Sequence, residues 1–462
     1  MDTPLQQSVS HARMATIYIC VLAALAGLMF GLDIGVISGA VQFIQSDFKI
    51  NDHTIEWIVS AMMLGAALGA AGAGWLSSTL GRKRSLLLGA ALFILGSVLS
   101  GWAWSPLSLM GARLVLGLSI GVLTFTAPLY LAEVASERSR GAMISTYQLM
   151  ITIGILVAFL SDMVLSRSGN WRWMLGIIAI PGALFVLGVL TLPESPRWLL
   201  MRGRGTEASR VLMRLRGDAD AVSHEVADIN AQLLTPRRGW QLFLDNPNFR
   251  RSVGLGVLLQ LMQQFTGMNV VMYYAPRIFQ SMGYATAEQM WFTALVGLTN
   301  MLATFIAIGL VDRLGRKPIL YAGFSVMAIG LGIVGTMMHL GINTHGEQVF
   351  TVVMLLLFIV GFAMSAGPLI WTLCSEVQPL QGRDFGIGAS TVTNWVANMI
   401  VGATFLTLLN GVGHAGTFWM YAALNVVFIV ITFALVPETR GVTLEEIERK
   451  LMAGTRLRDI GR

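Results

Sequence analysis

Leu80-Gly81-Arg82-Lys83 stands between two long apolar runs, and Leu314-Gly315-Arg316-Lys317 repeats it in the same setting 234 residues later. Glu133, followed seven residues on by Arg140, returns as Glu376 and Arg383 after 243 residues. Pro193-Glu-Ser-Pro-Arg197 returns loosely as Pro437-Glu-Thr-Arg440 after 244. Three paired motifs at nearly one offset predict two similar halves with the same sidedness, a plan found in membrane transporters whose site lies between the repeats.

The flanking runs set the class. Of 462 residues, 55% are hydrophobic and 12% charged, and mean hydropathy is +0.68. A soluble domain carries about twice that charged fraction. The expectation is an all-α integral membrane protein with twelve transmembrane helices: 16–44, 57–78, 85–104, 107–134, 141–165, 171–192, 252–281, 289–312, 317–341, 350–377, 384–411 and 415–436. The 50 glycines suit close helix contact in lipid. The first fifteen residues are polar and precede a run too long for a signal-peptide core, so the first helix reads as uncleaved. The organisation expected is a six-helix half over 1–192, a linker with short helices over 193–251, a second six-helix half over 252–436, and a tail over 437–462. Within the linker, Thr206–Arg216 and Asp220–Leu234 read as helices.

The net charge of +6 comes from short clusters between apolar spans. That is no nucleic-acid surface. Arg82-Lys83-Arg84, Arg138, Arg140, the linker arginines, Arg313, Arg316, Lys317, Arg383 and the tail all fall on one side, leaving little beyond Lys49 and Arg167 on the other. The positive-inside rule therefore predicts a multi-pass protein with both termini and the linker in the cytoplasm. Cys20 and Cys374 both lie in apolar runs and form no disulfide framework. There is no Cys/His cluster with metal spacing, no Walker loop and no nucleophile–base pair. These absences argue against an enzyme, an ATP-driven pump and a metal or organic cofactor, and no obligate protein partner is evident. Membrane lipid is the expected surroundings.

One acid interrupts the first span, Phe30-Gly-Leu-Asp33-Ile-Gly-Val-Ile-Ser-Gly39. A carboxylate at that depth costs several kcal/mol unless paired, hydrated or protonated. Arg113 in the fourth span is its natural partner, and burial and Arg113 push its ionisation in opposite senses. Asp33 is a candidate proton site, with a purely structural ion pair as the alternative. The spans also carry neutral amides: Gln148 in the fifth, Gln260, Gln263, Gln264 and Asn269 in the seventh, Asn300 in the eighth, and Asn394 and Asn398 in the eleventh. Groups that both donate and accept suit a ligand of many hydroxyls and no charge. Any one of them is also plausible interhelical glue. Residues 260, 264 and 267 share a helical face, with 263 beside them, and Gly267 is a point of local loosening. Arg82, Glu133, Arg140, Asp312, Arg316, Glu376 and Arg383 sit at span ends. They form a candidate cytoplasmic charge latch between the halves, or else set topology alone.

Asp312-Arg-Leu-Gly-Arg-Lys317 resembles the loop motif of the major facilitator superfamily. Phe30–Gly39, Pro193-Glu-Ser-Pro-Arg-Trp198, Gln260-Leu-Met-Gln-Gln-Phe-Thr-Gly-Met-Asn269 and Pro437-Glu-Thr-Arg-Gly441 resemble its sugar porter family, over essentially the whole chain. The resemblance implies the major facilitator fold and proton-coupled sugar import by alternating access across a bacterial inner membrane, with the proton as coupling ion. It implies sugar contacts at Gln148, Gln263, Gln264, Asn269, Asn300, Trp371 and Asn394, with Phe30, Tyr273 and Trp395 as aromatic walls or gates. Uncoupled facilitators of the family carry a neutral residue where Asp33 stands. Asn300 offers a polar group to an extra hydroxyl, which favours a hexose, D-galactose or D-glucose. Galactose-type members of the family look polar there and arabinose-type members apolar. L-arabinose–proton symport, an uncoupled facilitator and a sugar sensor are the alternatives. In the first loop, Ser78-Thr79 replaces the family's Asp-Arg pair, so that motif is asymmetric between the halves.

Overall fold

The computed structural model describes residues 4–135, 140–233, 239–379, 381–442 and 444–460, the side chains of 4–13, 140–142, 144, 232, 308, 310–313 and 445 apart. The first five expected spans are single helices: α1 (Pro4–Phe48), α2 (Asp52–Leu80), α3 (Arg82–Gly101), α4 (Pro106–Val134) and α5 (Arg140–Leu165). The sixth is α6 (Trp171–Gly176) followed by α7 (Ala179–Thr191). The linker folds as α8 (Pro196–Met201), α9 (Gly205–Arg216), α10 (Ala219–Leu233) and α11 (Gly239–Asp245). The seventh span is α12 (Pro247–Phe265) and α13 (Met268–Ser281). After it come α14 (Thr286–Leu314), α15 (Arg316–Leu340), the tenth span as α16 (His345–Met364) with α17 (Ala366–Glu376), α18 (Arg383–Gly411), α19 (His414–Leu435) and the tail helix α20 (Leu444–Met452).

Among the described residues, eleven of the twelve expected spans are helical stretches long and apolar enough to cross a bilayer. The seventh differs from the simple reading as a single helix. It breaks at Gly267, whose φ of +91° only glycine adopts without strain, and its amides lower its hydropathy.

Helix starts follow local chemistry. Asn51 accepts the Thr54 N–H at 2.9 Å to cap α2, and Ser105 with Ser108 forms a reciprocal capping box before Pro106. Packing in the first half rests on small residues. Gly27, Gly31, Gly35 and Gly39 form a stripe along α1 that receives α5. A Cβ at Gly31 would lie 2.0 Å from the Ile151 carbonyl oxygen, so backbones meet at a distance no larger residue permits. In this way α1 lies on α5, α2 on α4, α15 on α16 and α19, and α12 on α18. Among the described residues, the most extensive packing between the first and last six spans is of α2 with α18, α5 with α14, and α1 with α13.

Candidate functional site

The repeated loop motifs form a repeated structure. Gly81 (φ +94°) and Gly315 (φ +90°) turn the chain into α3 and α15. At α3, the Glu194 carboxylate accepts the N–H groups of Arg82 and Lys83 at 2.8 and 3.1 Å. At α15, Glu438 accepts those of Arg316 and Lys317 at 3.0 and 2.9 Å. A carboxylate suits the orphan donors and positive dipole of a helix start. Arg82 makes a bidentate pair with Glu133 at 2.6 and 2.8 Å, and Ser195 Oγ donates to Glu133 at 2.5 Å. In the second copy Arg316 donates to Glu376 at 3.0 Å, and Thr439 donates to the same carboxylate at 2.5 Å. Both ion pairs lie within one half rather than across the two. Arg383 donates to the Gln378 carbonyl at 3.3 Å. The side chains of Arg140 and Asp312 lie outside the described residues.

Sequence reasoning gave Glu194, Ser195, Glu438 and Thr439 no role, although their Pro-Glu-Ser/Thr repeat was in view. At the departure, Ser78 and Thr79 donate back to the Trp75 carbonyl. The carbonyls of Ser78 and Thr79 accept from Trp198 Nε1 at 2.9 Å and Arg202 Nη2 at 2.7 Å. A linker arginine thus closes the C-terminal end of α2, where a cation is favoured.

Within the spans, Arg113 Nη1 donates to Asp33 Oδ1 at 2.5 Å, with both side chains fully buried. Asp33 Oδ2 and Arg113 Nε and Nη2 have no partner among the described residues. The pair is therefore incompletely satisfied in a place where unmade bonds are expensive.

The amides converge on the broken seventh span. Asn394 Nδ2 on α18 donates to Gln260 Oε1 at 2.6 Å and Gln263 Oε1 at 2.8 Å. Gln263 Nε2 donates to the Ala366 and Gly367 carbonyls, each at 3.0 Å, at the break between α16 and α17. Gln263 thus commits its amide to the frame in this conformation. Gln260 Nε2 reaches Cys374 Sγ at 3.5 Å, and Asn269 Nδ2 bridges the Gly267 turn to Gln264 Oε1 at 2.6 Å. Among the described residues, the hydrogen bonds of Gln264, Asn269 and Asn394 engage Gln264 Oε1, Asn269 Nδ2 and Asn394 Nδ2. Asn300 is buried on α14, Gln148 is half-buried on α5, and Trp371 on α17 is 38% exposed. Asn398 donates to the buried Tyr273 hydroxyl at 2.9 Å. Phe30, three residues before Asp33, meets Trp395, next to Asn394, edge to face at 5.3 Å.

A second set, absent from the sequence reading, joins the halves at the far end from the arginine motifs. Asp52 at the start of α2 accepts from Arg277 at 2.5 Å, Gln45 at 2.8 Å and Asn410 at 2.9 Å. Buried Glu56 accepts the Thr407 N–H at 2.7 Å and its hydroxyl at 2.6 Å, and Gln42 donates to Gln289 at 2.9 Å. No single residue here stands out in sequence, because polar groups at span ends are ordinary.

Residues 19–451 match the family model described as "Sugar (and other) transporter". The chain is 62% identical over 447 residues to the galactose-proton symporter of Escherichia coli K12, covering 96% of each chain. It is 56% identical to the arabinose-proton symporter of the same strain, covering 98% of this chain and 97% of that one. Among solved structures it resembles the major facilitator proton:xylose symporter XylE bound to 6-bromo-6-deoxy-D-glucose, at TM-score 0.81 and 30% identity over 94% of this chain and 98% of that one. It also resembles the inward open xylose transporter XylE from E. coli, at TM-score 0.81 and 28% identity over 94% and 99%. Repeated halves, a buried acid–arginine pair, converging amides and these likenesses agree, and the chain belongs to the sugar transporter family of the major facilitator superfamily.

Proposed function

We propose that this protein is a sugar–proton symporter of the bacterial inner membrane, importing a hexose by alternating access of residues 1–192 and 252–436 about a central site. The observation that carries the reading is the Asp33–Arg113 pair, fully buried and joined through Phe30 and Trp395 to the amide cluster. The secondary-transporter fold and the symporter relatives support it. Asp33 with Arg113 is the coupling pair. Gln264, Asn269, Asn394, Asn300, Gln148 and Trp371 meet sugar hydroxyls, Gln263 frames them, and Phe30, Tyr273 and Trp395 wall the site. Proton and monosaccharide are its only required ligands, and both termini face the cytoplasm with residues 193–251.

D-galactose or D-glucose is the substrate, because buried Asn300 is left unpaired by a sugar lacking the matching hydroxyl. The second reading, L-arabinose, draws on the 56% identical relative. Sugar-induced alkalinisation in energy-depleted cells, run with competition between labelled D-galactose and unlabelled sugars, decides it. The expected result is alkalinisation with hexose and stronger competition by D-glucose than by L-arabinose. Better competition by L-arabinose than by either hexose replaces the hexose reading, and transport without alkalinisation removes the proton.

With the arginine motifs inside, the Asp52–Arg277 end faces outward and is shut. Opening it must break the Asp52 bonds. In right-side-out vesicles, labelling of Ser60→Cys by a membrane-impermeant thiol reagent reads that opening, since Ser60 is buried beside Gly402 of α18. Asp52→Arg or Arg277→Asp alone should speed labelling about two- to fivefold, from ~0.5–1 kcal/mol for a partly exposed pair. The double swap should restore the slow rate. Single swaps without effect would deny the pair a gating role.

A further inference from the structure

Among the described residues, the site above leaves one buried carboxyl unused. Asp162 on α5 is 1% exposed. Its Oδ2 accepts the Gly39 N–H at 3.1 Å, and its Oδ1 has no partner among the described residues. Gly39 ends the α1 glycine stripe, and a Cβ there would lie 2.4 Å from Oδ2. The carboxyl occupies the space that this glycine leaves open.

Charged groups on the elements packed against α5 are engaged elsewhere or distant. On α1, Asp33 holds Arg113 of α4, and Asp47 holds Arg172 of α6 at 2.8 Å. On α14, Glu288 accepts the Ala285 N–H, and on α4, Glu133 holds Arg82. Arg167, in the turn after α5, is exposed. His11 and Arg13 of α1, Arg140 of α5, and Asp312 and Arg313 of α14 stand at the opposite ends of their helices. An ionised carboxylate with one neutral donor and no cation costs several kcal/mol in such an interior, whereas a carboxylic acid does not.

The position also borders the seam between the halves. Three residues past Gly39, Gln42 bonds Gln289 of α14. Three residues before Asp162, Phe159 packs with Leu156 against Gly297 of α14. In this conformation the carboxyl is shut in against Gly39, and parting of the adjacent seam is the route by which water would reach it.

We infer that Asp162 is a second proton-binding site, a gate carboxyl that takes up a proton from the external side for the outer seam to close and returns it to that side on reopening. It therefore adds nothing to the protons carried per sugar. Closing binds a proton, so acid external pH favours the shut state and alkaline external pH opposes it. The inference rests on the alternating-access reading above.

The test measures Ser60→Cys labelling by an impermeant methanethiosulfonate in right-side-out vesicles, in a Cys20→Ser, Cys374→Ser background. External pH runs from about 6 to about 9, with and without Asp162→Asn. Dividing the two rates cancels the titration of the cysteine itself. The rate with Asp162 intact, relative to Asp162→Asn, should rise with pH by up to about tenfold per unit, the slope of one linked proton. A ratio that stays constant or falls overturns the inference. A side chain already neutral in the fold must tolerate a neutral replacement, so failure of both Asp162→Asn and Asp162→Ser to reach the membrane overturns it as well. Saturating D-galactose at fixed pH tests alternation separately. If sugar shifts the labelling while the pH ratio stays flat, the gate role alone falls. If neither sugar nor pH shifts it, the alternating-access reading falls too.

Discussion

Asp33→Asn should abolish accumulation of sugar against its gradient while sparing sugar binding and exchange. The substitution keeps an oxygen for Arg113 Nη1, which now meets Asp33 at 2.5 Å, but removes the group that changes charge. One proton moving through 100 mV supplies about 2.3 kcal/mol, a concentration ratio of roughly fifty at about 1.4 kcal/mol per decade. The variant should equilibrate sugar and stop near unity, a loss of about fiftyfold. Arg113 is then a buried cation without its counter-charge, a loss that costs about 3–5 kcal/mol when one partner of a buried pair is removed, so some fall in thermal stability should accompany the change. Steady-state uptake in vesicles at imposed membrane potentials is the measurement. Accumulation that still tracks the potential would remove Asp33 from the coupling step.

Asn394→Ala should weaken sugar affinity about five- to hundredfold. Its amide holds the oxygens of Gln260 and Gln263 together across α12 and α18. Truncation withdraws the amide from the sugar contact proposed for it, and one buried partner left unpaired costs about 1–3 kcal/mol. Asn398→Ala, which loses the bond to Tyr273, is the comparison within the same helix and should fall less. Equilibrium binding to purified protein reads both. Equal affinities for the Asn394→Ala variant and the parent would place the sugar elsewhere.

Much of this was legible because lipid is an unforgiving solvent. Hydrophobic length located the spans. An acid in the first span required a cation at similar depth, and Arg113 is that cation. What stayed hidden depends on chain return. Pro193-Glu-Ser195 and Pro437-Glu-Thr439 were visible as a repeat, but their work as caps on α3 and α15 requires knowing that each sixth span ends beside the start of its own third. The Gly267 break was legible only as a soft point, since propensity gives a glycine no φ. Asp52, Glu56, Arg277 and Asn410 were missed because nothing local marks which polar residues at span ends face the opposite half. Asp162 was missed because it lies close to the end of an apolar run, where an acid ordinarily reaches water.

The edge-to-face contact of Phe30 with Trp395 ties α1, which holds Asp33, to α18, which holds Asn394 and Asn398. If that contact transmits strain between the proposed proton and sugar sites, thermodynamics makes the traffic two-way. Whatever factor bound sugar adds to proton affinity, bound proton must add to sugar affinity. The tightness of coupling then becomes a property of two rings rather than of either ligand site. A transporter loosened there would keep both affinities and leak.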